Sequence, residues 1–288
     1  MDTSRFPKSA VQPDAYLITH AHSDHYGKSA MLSTRAMASK ETASALEIRH
    51  GRPYLGQTFQ VGDTIDICGV KVQTIPTRHT IGSCAFFWEN SQGTRILVTG
   101  DVKDYRNLPR CDLLVSEANY GDPWDNSCVF DDDLDSFWDA LNSGAAFGAY
   151  AFGKAQRAVS LIRGMGYFGE IGMDPESLAL TEALLPSCGP LVDFRDAPGT
   201  SVVTFSNLSS VRPRERFVLT GRTDLNYRNI RLSDHLDFRG LMRMFDHLQP
   251  QGAIAYHPEG SRSRLLAHHL RQIGLDAVSV DQIEQTVP

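Results

Sequence analysis

This sequence predicts an α/β fold in which one α/β segment is inserted into a sheet-rich domain, and the end of the chain returns to that first domain. Three observations carry the prediction. Short apolar runs separated by Gly, Asn and Pro turns dominate the first 117 residues. From about Asp131 helical and strand patterns alternate, and the chain closes on helix, strand, helix, strand. Its 288 residues allow one large domain or two interleaved ones, with ample core.

The elements follow in order. Ala15-Tyr16-Leu17-Ile18 reads as a buried strand. Thr64–Ile67 and Val70–Ile75 flank Cys68-Gly69 and predict a hairpin; Ala85–Trp88 and Arg95–Val98 flank Asn90-Ser91-Gln92-Gly93 and predict another. Leu113-Leu114-Val115 is a further strand. Helices are predicted over 131–141, 154–165 and 175–185, the last with Asp174 as N-cap and Pro175 in the first turn. Strands are predicted over 145–152, 202–205 and 217–219, followed by helix 237–248, strand 252–256, helix 261–273 and strand 276–280.

Composition narrows the class. Charged residues are 22% and hydrophobic residues 41%, ordinary for a globular protein, and no apolar run approaches a membrane span. Met1-Asp2-Thr3-Ser4-Arg5 has no apolar signal core, which predicts an intracellular protein, cytoplasmic or, in a eukaryote, nuclear. Five scattered cysteines (Cys68, Cys84, Cys111, Cys128, Cys188) give neither a disulfide framework nor a CxxC metal site. The formal net charge of −6 argues against a polyanionic partner, but two divalent ions would raise it to −2. Arg212, Arg214, Arg216, Arg222, Arg228 and Arg231, followed by Arg262, Arg264 and Arg271, form either a solvated face or a phosphate-tracking groove.

Chemistry concentrates in Thr19-His20-Ala21-His22-Ser23-Asp24-His25, directly after the first strand. Three imidazoles and a carboxylate within six residues suit a hydrolytic transition-metal site. His79 falls between two predicted strands, and Asp101 follows one, where a single carboxylate can bridge two ions. Ser233-Asp234-His235-Leu236-Asp237 opens a helix, and His257 closes a strand. His50, His247, His268 and His269 lie in or beside helical patterns and read as ordinary surface or core residues.

In this order, His20-x-His22-x-Asp24-His25, His79 and Gly100-Asp101 resemble the metal motifs of the metallo-β-lactamase superfamily. Glu117-Ala118-Asn119-Tyr120-Gly121, Ser233-x-His235-x-Asp237 and His257 resemble the later motifs of its β-CASP nuclease branch, and Tyr150 to Arg157 resembles a motif of that branch's inserted domain. The resemblance runs from Asp14 to about Arg271. It implies a metallo-β-lactamase αββα sandwich over 1–121 and 233–288, with an inserted α/β β-CASP domain over 122–232. It also implies two Zn²⁺, with Mn²⁺ or Fe²⁺ compatible with the same ligands. His20, His22 and His79 would hold one ion; Asp24, His25 and His257 the second; Asp101 would bridge. The implied catalytic residues are Asp24, Asp101, Glu117 and His235, with His235, oriented by Glu117, as the general acid.

Among β-CASP proteins the chain is most similar to Artemis-like DNA repair nucleases and DNA-ligase-associated exonucleases. The similarity includes the short N-terminus from Met1 to Phe6, and Gly153-Lys154, where a terminal 5′-phosphate would bind. It therefore implies a 5′-phosphate-dependent DNA exonuclease, with DNA or RNA as partner, no membrane, and association with DNA repair or ligase machinery. Two departures keep other readings open. Artemis-like enzymes usually carry Val where His257 stands, whereas ribonuclease J and mRNA 3′-end nucleases carry His. Only 19 residues precede His20, which predicts short or missing opening strands. An RNA-processing nuclease is the alternative, followed by a small-molecule metallo-hydrolase and an inactive scaffold subunit.

Overall fold

The computed structural model describes residues 13–127, 131–212, 214–225, 227–257 and 260–284. Met1–Phe6 and Cys128 lie outside these. The chain forms two compact units. One takes residues up to Ala43, Tyr54–Asn126 and the chain from His235; the other takes Ser44–Pro53 and Ser127–Asp234. The units therefore part at 126/127 and 234/235, where the sequence suggested 121/122 and 232/233.

The first unit opens with β1 (Tyr16–Leu17), α1 (Lys28–Met31), β2 (Ala36–Ser39), the start of α2 (Lys40–His50) and, after it, β3 (Gln57–Phe59). β1, β2 and β3 form a parallel sheet. Next come β4 (Thr64–Ile67), β5 (Val70–Pro76), β6 (Cys84–Glu89), β7 (Arg95–Val98) and β8 (Leu113–Glu117). The β4–β5 hairpin turns on Cys68 at φ 50° and Gly69 at φ 88°. Positive φ at both central residues is the mark of the type I′ turn, whose twist matches that of the flanking strands.

The second unit runs α3 (Leu134–Asn142), β9 (Ala146–Gly148), α4 (Lys154–Gly164), β10 (Ile171–Met173), α5 (Pro175–Leu184), β11 (Leu191–Asp193), β12 (Ser201–Val203), α6 (Phe205–Leu208), β13 (Arg216–Thr220) and β14 (Asn229–Arg231). Among the described residues its six strands are all parallel, in the order β11-β10-β12-β9-β13-β14. β9, β10 and β12 are buried throughout, because helices cover both faces of a parallel sheet. α4 buries Ala155, Ala158, Val159 and Ile162, one face at offsets 0, 3, 4 and 7. Asp174 caps α5 by accepting from Ser177 N at 3.2 Å.

The chain ends in the first unit with α7 (Phe238–Leu248), β15 (Gly252–Tyr256), α8 (Arg262–Gln272), β16 (Asp276–Ser279) and α9 (Val280–Glu284). β15 and β16 complete a seven-stranded sheet, β16-β15-β8-β7-β6-β5-β4. Leu241, Met244, Phe245 and Leu248 of α7, with Leu266, Ala267 and Leu270 of α8, pack on Leu97, Leu114 and Ala253 of this sheet. Fully burying one such leucine contributes about 1.5–3 kcal/mol. Leu17, Met37 and Phe59 of the small sheet share a core with Val72, Cys84 and Phe86 of the large one. Among the described residues no helix is long and apolar enough to cross a membrane.

The four strands β7, β8, β15 and β16 are parallel, so their carboxyl ends lie on one edge. Val98 pairs with Val115, and Tyr256 with Glu117. That register gathers Asp101, Glu117 and His257 at one end of the sheet, the edge where open α/β sheets place their chemistry.

Candidate metal centre

Every loop that meets at this edge begins at a strand end. β1 gives way to Thr19, whose carbonyl accepts from Cys84 N at 3.0 Å, and the chain then turns through His20, His22 and His25. β7 gives way to Thr99-Gly100-Asp101. Gly100 sits at φ 58°, and a Cβ there would lie 2.5 Å from Thr19 Oγ1. Backbone strain and steric collision both demand glycine. Gly100→Ala is expected to cost about 1–3 kcal/mol in urea unfolding. It should also lower bound metal, because the displaced Thr19 hydroxyl lies 3.1 Å from His20 Nδ1.

Four ligand atoms converge. His22 Nδ1 lies 3.1 Å from His20 Nε2 and 3.0 Å from His79 Nε2. Asp101 Oδ2 lies 3.6 Å from His20 Nε2 and 3.5 Å from His79 Nε2. One imidazole nitrogen carries one proton or one lone pair, so His22 Nδ1 cannot satisfy both neighbours by hydrogen bonding. An ion at their centre can. Ligands about 2.0–2.1 Å from a tetrahedral ion stand roughly 3.3 Å apart, the spacing seen here. The donor set therefore fits a divalent metal.

The other oxygen of Asp101 faces elsewhere. Oδ1 lies 3.3 Å from His25 Nε2, which is 3.5 Å from Asp24 Oδ2. Asp24, His25 and His257 stand outside the two groups of ligand atoms that lie within 4.8 Å of one another among the described residues: His20, His22, His79, Asp101 and Asp101, Glu117, His235. His257 is half-buried and follows β15 directly. The Tyr256 hydroxyl before it donates to the Asp24 carbonyl at 2.9 Å.

Charge balance follows from burial. The His20 imidazole is held well below its ordinary value, first by burial and then by His25 and His79. Burial pushes the Asp101 carboxyl up, but the charges of His25, His79 and His235 outweigh it and hold that carboxyl well below the usual range.

Beside the ligands, His235 Nδ1 lies 3.2 Å from Glu117 Oε2. Glu117 is buried, and its Oε1 accepts from Val102 N at 2.5 Å. Asn119 Nδ2 donates to Asp101 Oδ1 at 2.9 Å and to Glu117 Oε2 at 2.8 Å. Both amide hydrogens are thereby used, so the 3.2 Å approach of Asn119 Nδ2 to His235 Nδ1 requires no proton. The arrangement assigns the Nδ1 proton of His235 to the bond with Glu117 and leaves Nε2 for other chemistry. Leu236 N donates to Val102 O at 3.0 Å, so the peptide after His235 is fixed to the residue that also binds Glu117. The tasks of Asn119, Thr19 and Tyr256 are visible only in the structure, although Asn119 lies within the Glu117–Gly121 motif. The signal was a polar side chain two residues beyond the buried strand carboxylate.

The second unit places the pair expected to bind a terminal phosphate. Gly153 N donates to Gln156 Oε1 at 2.7 Å. Lys154 is buried, and its Nζ binds Leu232 O at 2.9 Å and Asp234 Oδ2 at 3.0 Å. The two groups the sequence offered to a 5′-phosphate are thus engaged within the chain. The arginine cluster is also largely spoken for. Arg228 pairs with Glu215 at 2.7 Å, Arg222 with Asp224, and Arg216 donates to Val211 O at 2.8 Å.

The chain is similar to several known proteins. Residues 8–146 match the metallo-β-lactamase superfamily. A probable DNA ligase of Opitutus terrae is 24% identical over 93% of this chain, which spans 29% of that protein's length. UPF0173 metal-dependent hydrolases of Methanoregula boonei and Methanoculleus marisnigri are each 35% identical over 26% and 24% of this chain, and 32% and 30% of their own length. The chain thus spans less than a third of the length of the curated relatives it matches. A solved protein of unknown function from Enterococcus faecalis shares the fold, with TM-score 0.64 and 13% identity over 92% of this chain and 78% of that one. With the matched segment carrying all four atoms of the convergent donor set, this mixed α/β chain holds a metallo-β-lactamase superfamily domain equipped to bind divalent metal.

Proposed function

We propose that the chain is a two-metal phosphodiesterase that trims nucleic acid, DNA in preference to RNA. The observation that carries this reading is the His235–Glu117 pair at 3.2 Å beside Asp101. Hydrolysis of a phosphodiester releases an alkoxide that needs a proton, and an imidazole oriented by a buried carboxylate supplies one. In this reading His20, His22, His79 and Asp101 hold one ion, and Asp101, Asp24, His25 and His257 hold the other. Bound divalent ions would supply Lewis acidity and a nucleophile at neutral pH. The residues do the rest. Glu117 turns the Nδ1 proton of His235 toward itself, and Nε2 delivers a proton to the departing oxygen. Asn119 ties Asp101 to Glu117 and keeps the two carboxylates at a fixed separation.

The second unit, with its six parallel strands, is read as a β-CASP domain that helps hold the polymer. The ligase relative supports this, since its match extends over both units. That this relative is named a probable DNA ligase also supports work beside end sealing. Lys154 Nζ is held by Leu232 O and Asp234 Oδ2, and comparing 5′-phosphate with 5′-hydroxyl ends tests whether it also serves a terminal phosphate. A second reading, a small-molecule hydrolase, is favoured by the two hydrolases that match about a quarter of the chain.

The test uses matched DNA and RNA oligonucleotides with 5′-phosphate and 5′-hydroxyl ends, with zinc or manganese added and products resolved by length. Shortening of DNA is expected at both kinds of end. Hydrolysis of a thioester or β-lactam with every oligonucleotide intact would sink the nuclease reading in favour of the second.

A further inference from the structure

Several polar groups of the four residues directly before His235, Arg231 to Asp234, are bound within the second unit. Arg231 O accepts from Asp133 N at 2.8 Å, and Leu232 N donates to Thr220 O at 3.2 Å. Leu232 O accepts from Lys154 Nζ at 2.9 Å, and Ser233 N donates to Asp132 Oδ1 at 3.2 Å. At the centre stands Arg157, on the same face of α4 as Lys154 and one turn further on. Its Nη1 donates to Ser233 O at 2.5 Å and to Asp234 Oδ1 at 3.0 Å, while Nη2 pairs with Asp132. The other oxygen of Asp234 goes to Lys154 at 3.0 Å. Arg157 thus joins the stretch entering the unit, through Asp132, to the stretch leaving it.

A mostly buried ionic cluster of this kind is weak as a source of stability, because desolvation offsets most of the attraction. Its stronger effect is geometric. A guanidinium is a planar fork that fixes three acceptors in one plane, which a single ammonium cannot do. What it fixes here is the peptide one residue from His235.

We propose that Arg157 is a positioning residue for His235, bracing the chain segment that delivers the imidazole to Glu117. The proposal rests on the reading of His235 as proton donor. Arg157 touches no substrate in this role. Its removal leaves metal binding and substrate affinity in place and slows the step that needs a correctly aimed imidazole.

The metal-loaded protein, Arg157→Ala and Arg157→Lys are compared on a fluorescent DNA oligonucleotide. The expected result is a fall in kcat of about ten- to a hundredfold for alanine, from a small misplacement of the acid, with KM and metal content nearly unchanged. Partial recovery with millimolar guanidinium chloride, and a lesser fall for lysine, are expected with it. A rise in KM at constant kcat would make Arg157 a substrate contact and overturn the proposal, as would unchanged kinetics. If alanine does not fold, Arg157→Lys alone decides: full activity overturns the proposal. A second readout keeps the two ideas apart. In ¹⁵N-histidine-labelled protein, Arg157→Ala should move the His235 ring resonances, assigned with His235→Gln, and leave those of His20 and His79 in place. A still His235 refutes the positioning role whatever the substrate. A parent protein that cuts no phosphodiester refutes the nuclease reading even if His235 moves.

Discussion

Asp101→Ala is expected to abolish hydrolysis, below about one part in 10⁴ of the parent rate, and to release most of the bound metal. The reason is that one side chain serves two groups. Oδ2 completes the set formed by His20, His22 and His79, and Oδ1 faces His25. His22→Ala removes one donor from the first group only, so it should lower affinity for one ion and leave the other. Metal analysis after gel filtration separates the two variants. If Asp101→Ala keeps the parent metal content, the convergent geometry around Asp101 is not a metal site.

The same cluster sets the acid stability of the metal-free chain. Burial, with His25 and His79, holds His20 below its ordinary value. An unfolded chain binds a proton there near pH 6.5, and the folded chain resists it, so stability falls as pH drops through that value. Asp101 acts in the same direction at lower pH. Its carboxyl is depressed in the fold, so its contribution is present above the ordinary carboxylate value near 3.9 and is lost as pH falls below it. The chelator-treated protein should therefore lose stability in two stages on acidification. Added metal should oppose the first, because ions and protons compete for the same imidazoles.

How much of this was legible beforehand depended on whether neighbours in space were neighbours in sequence. The run from His20 to His25 announced itself, since its ligands share one loop. His79 and Asp101 were legible from their places after strands. The helices α4, α5, α7 and α8 were readable because their apolar residues recur at helical spacing and Asp174 and Asp237 stand at their caps. β10, β11 and β14 were not: they are three residues each, like β9 and β12, but lack the longer apolar run that marked those two. The predicted strand over 145–152 closes at Gly148, because the chain must turn at Gly153 to start α4. The fate of Lys154 was invisible because its partners, Leu232 and Asp234, lie far along the chain. A lysine at a helix start reads as a free cation until the opposing carboxylate is placed. Asn119 escaped for the same reason: its two carboxylates, Asp101 and Glu117, converge only when β7 and β8 pair.

His235→Ala is expected to cut kcat on DNA by about 10²- to 10⁴-fold and to leave metal content intact. The decisive comparison is between leaving groups. A nucleoside alkoxide needs a proton as it departs, whereas p-nitrophenolate does not. The variant should therefore lose far less activity on bis(p-nitrophenyl) phosphate than on an oligonucleotide. Equal losses on both would show that His235 serves binding or structure rather than proton delivery. Glu117→Gln tests the partner. Burial first, and the charge of Asp101 second, push the Glu117 carboxyl up, with His235 working against them. A carboxyl raised in the fold stabilises it below the unfolded value and costs stability as pH rises through the folded one. The metal-free Glu117→Gln chain should thus be more stable than the parent at neutral pH in urea unfolding. It should nevertheless be slower on DNA, because glutamine can offer its amide hydrogens to His235 Nδ1 where the carboxylate only accepts. A variant both more stable and less active would mark Glu117 as a residue kept for chemistry at the expense of the fold. Unchanged turnover would remove the carboxylate from the mechanism and leave His235 to act without it.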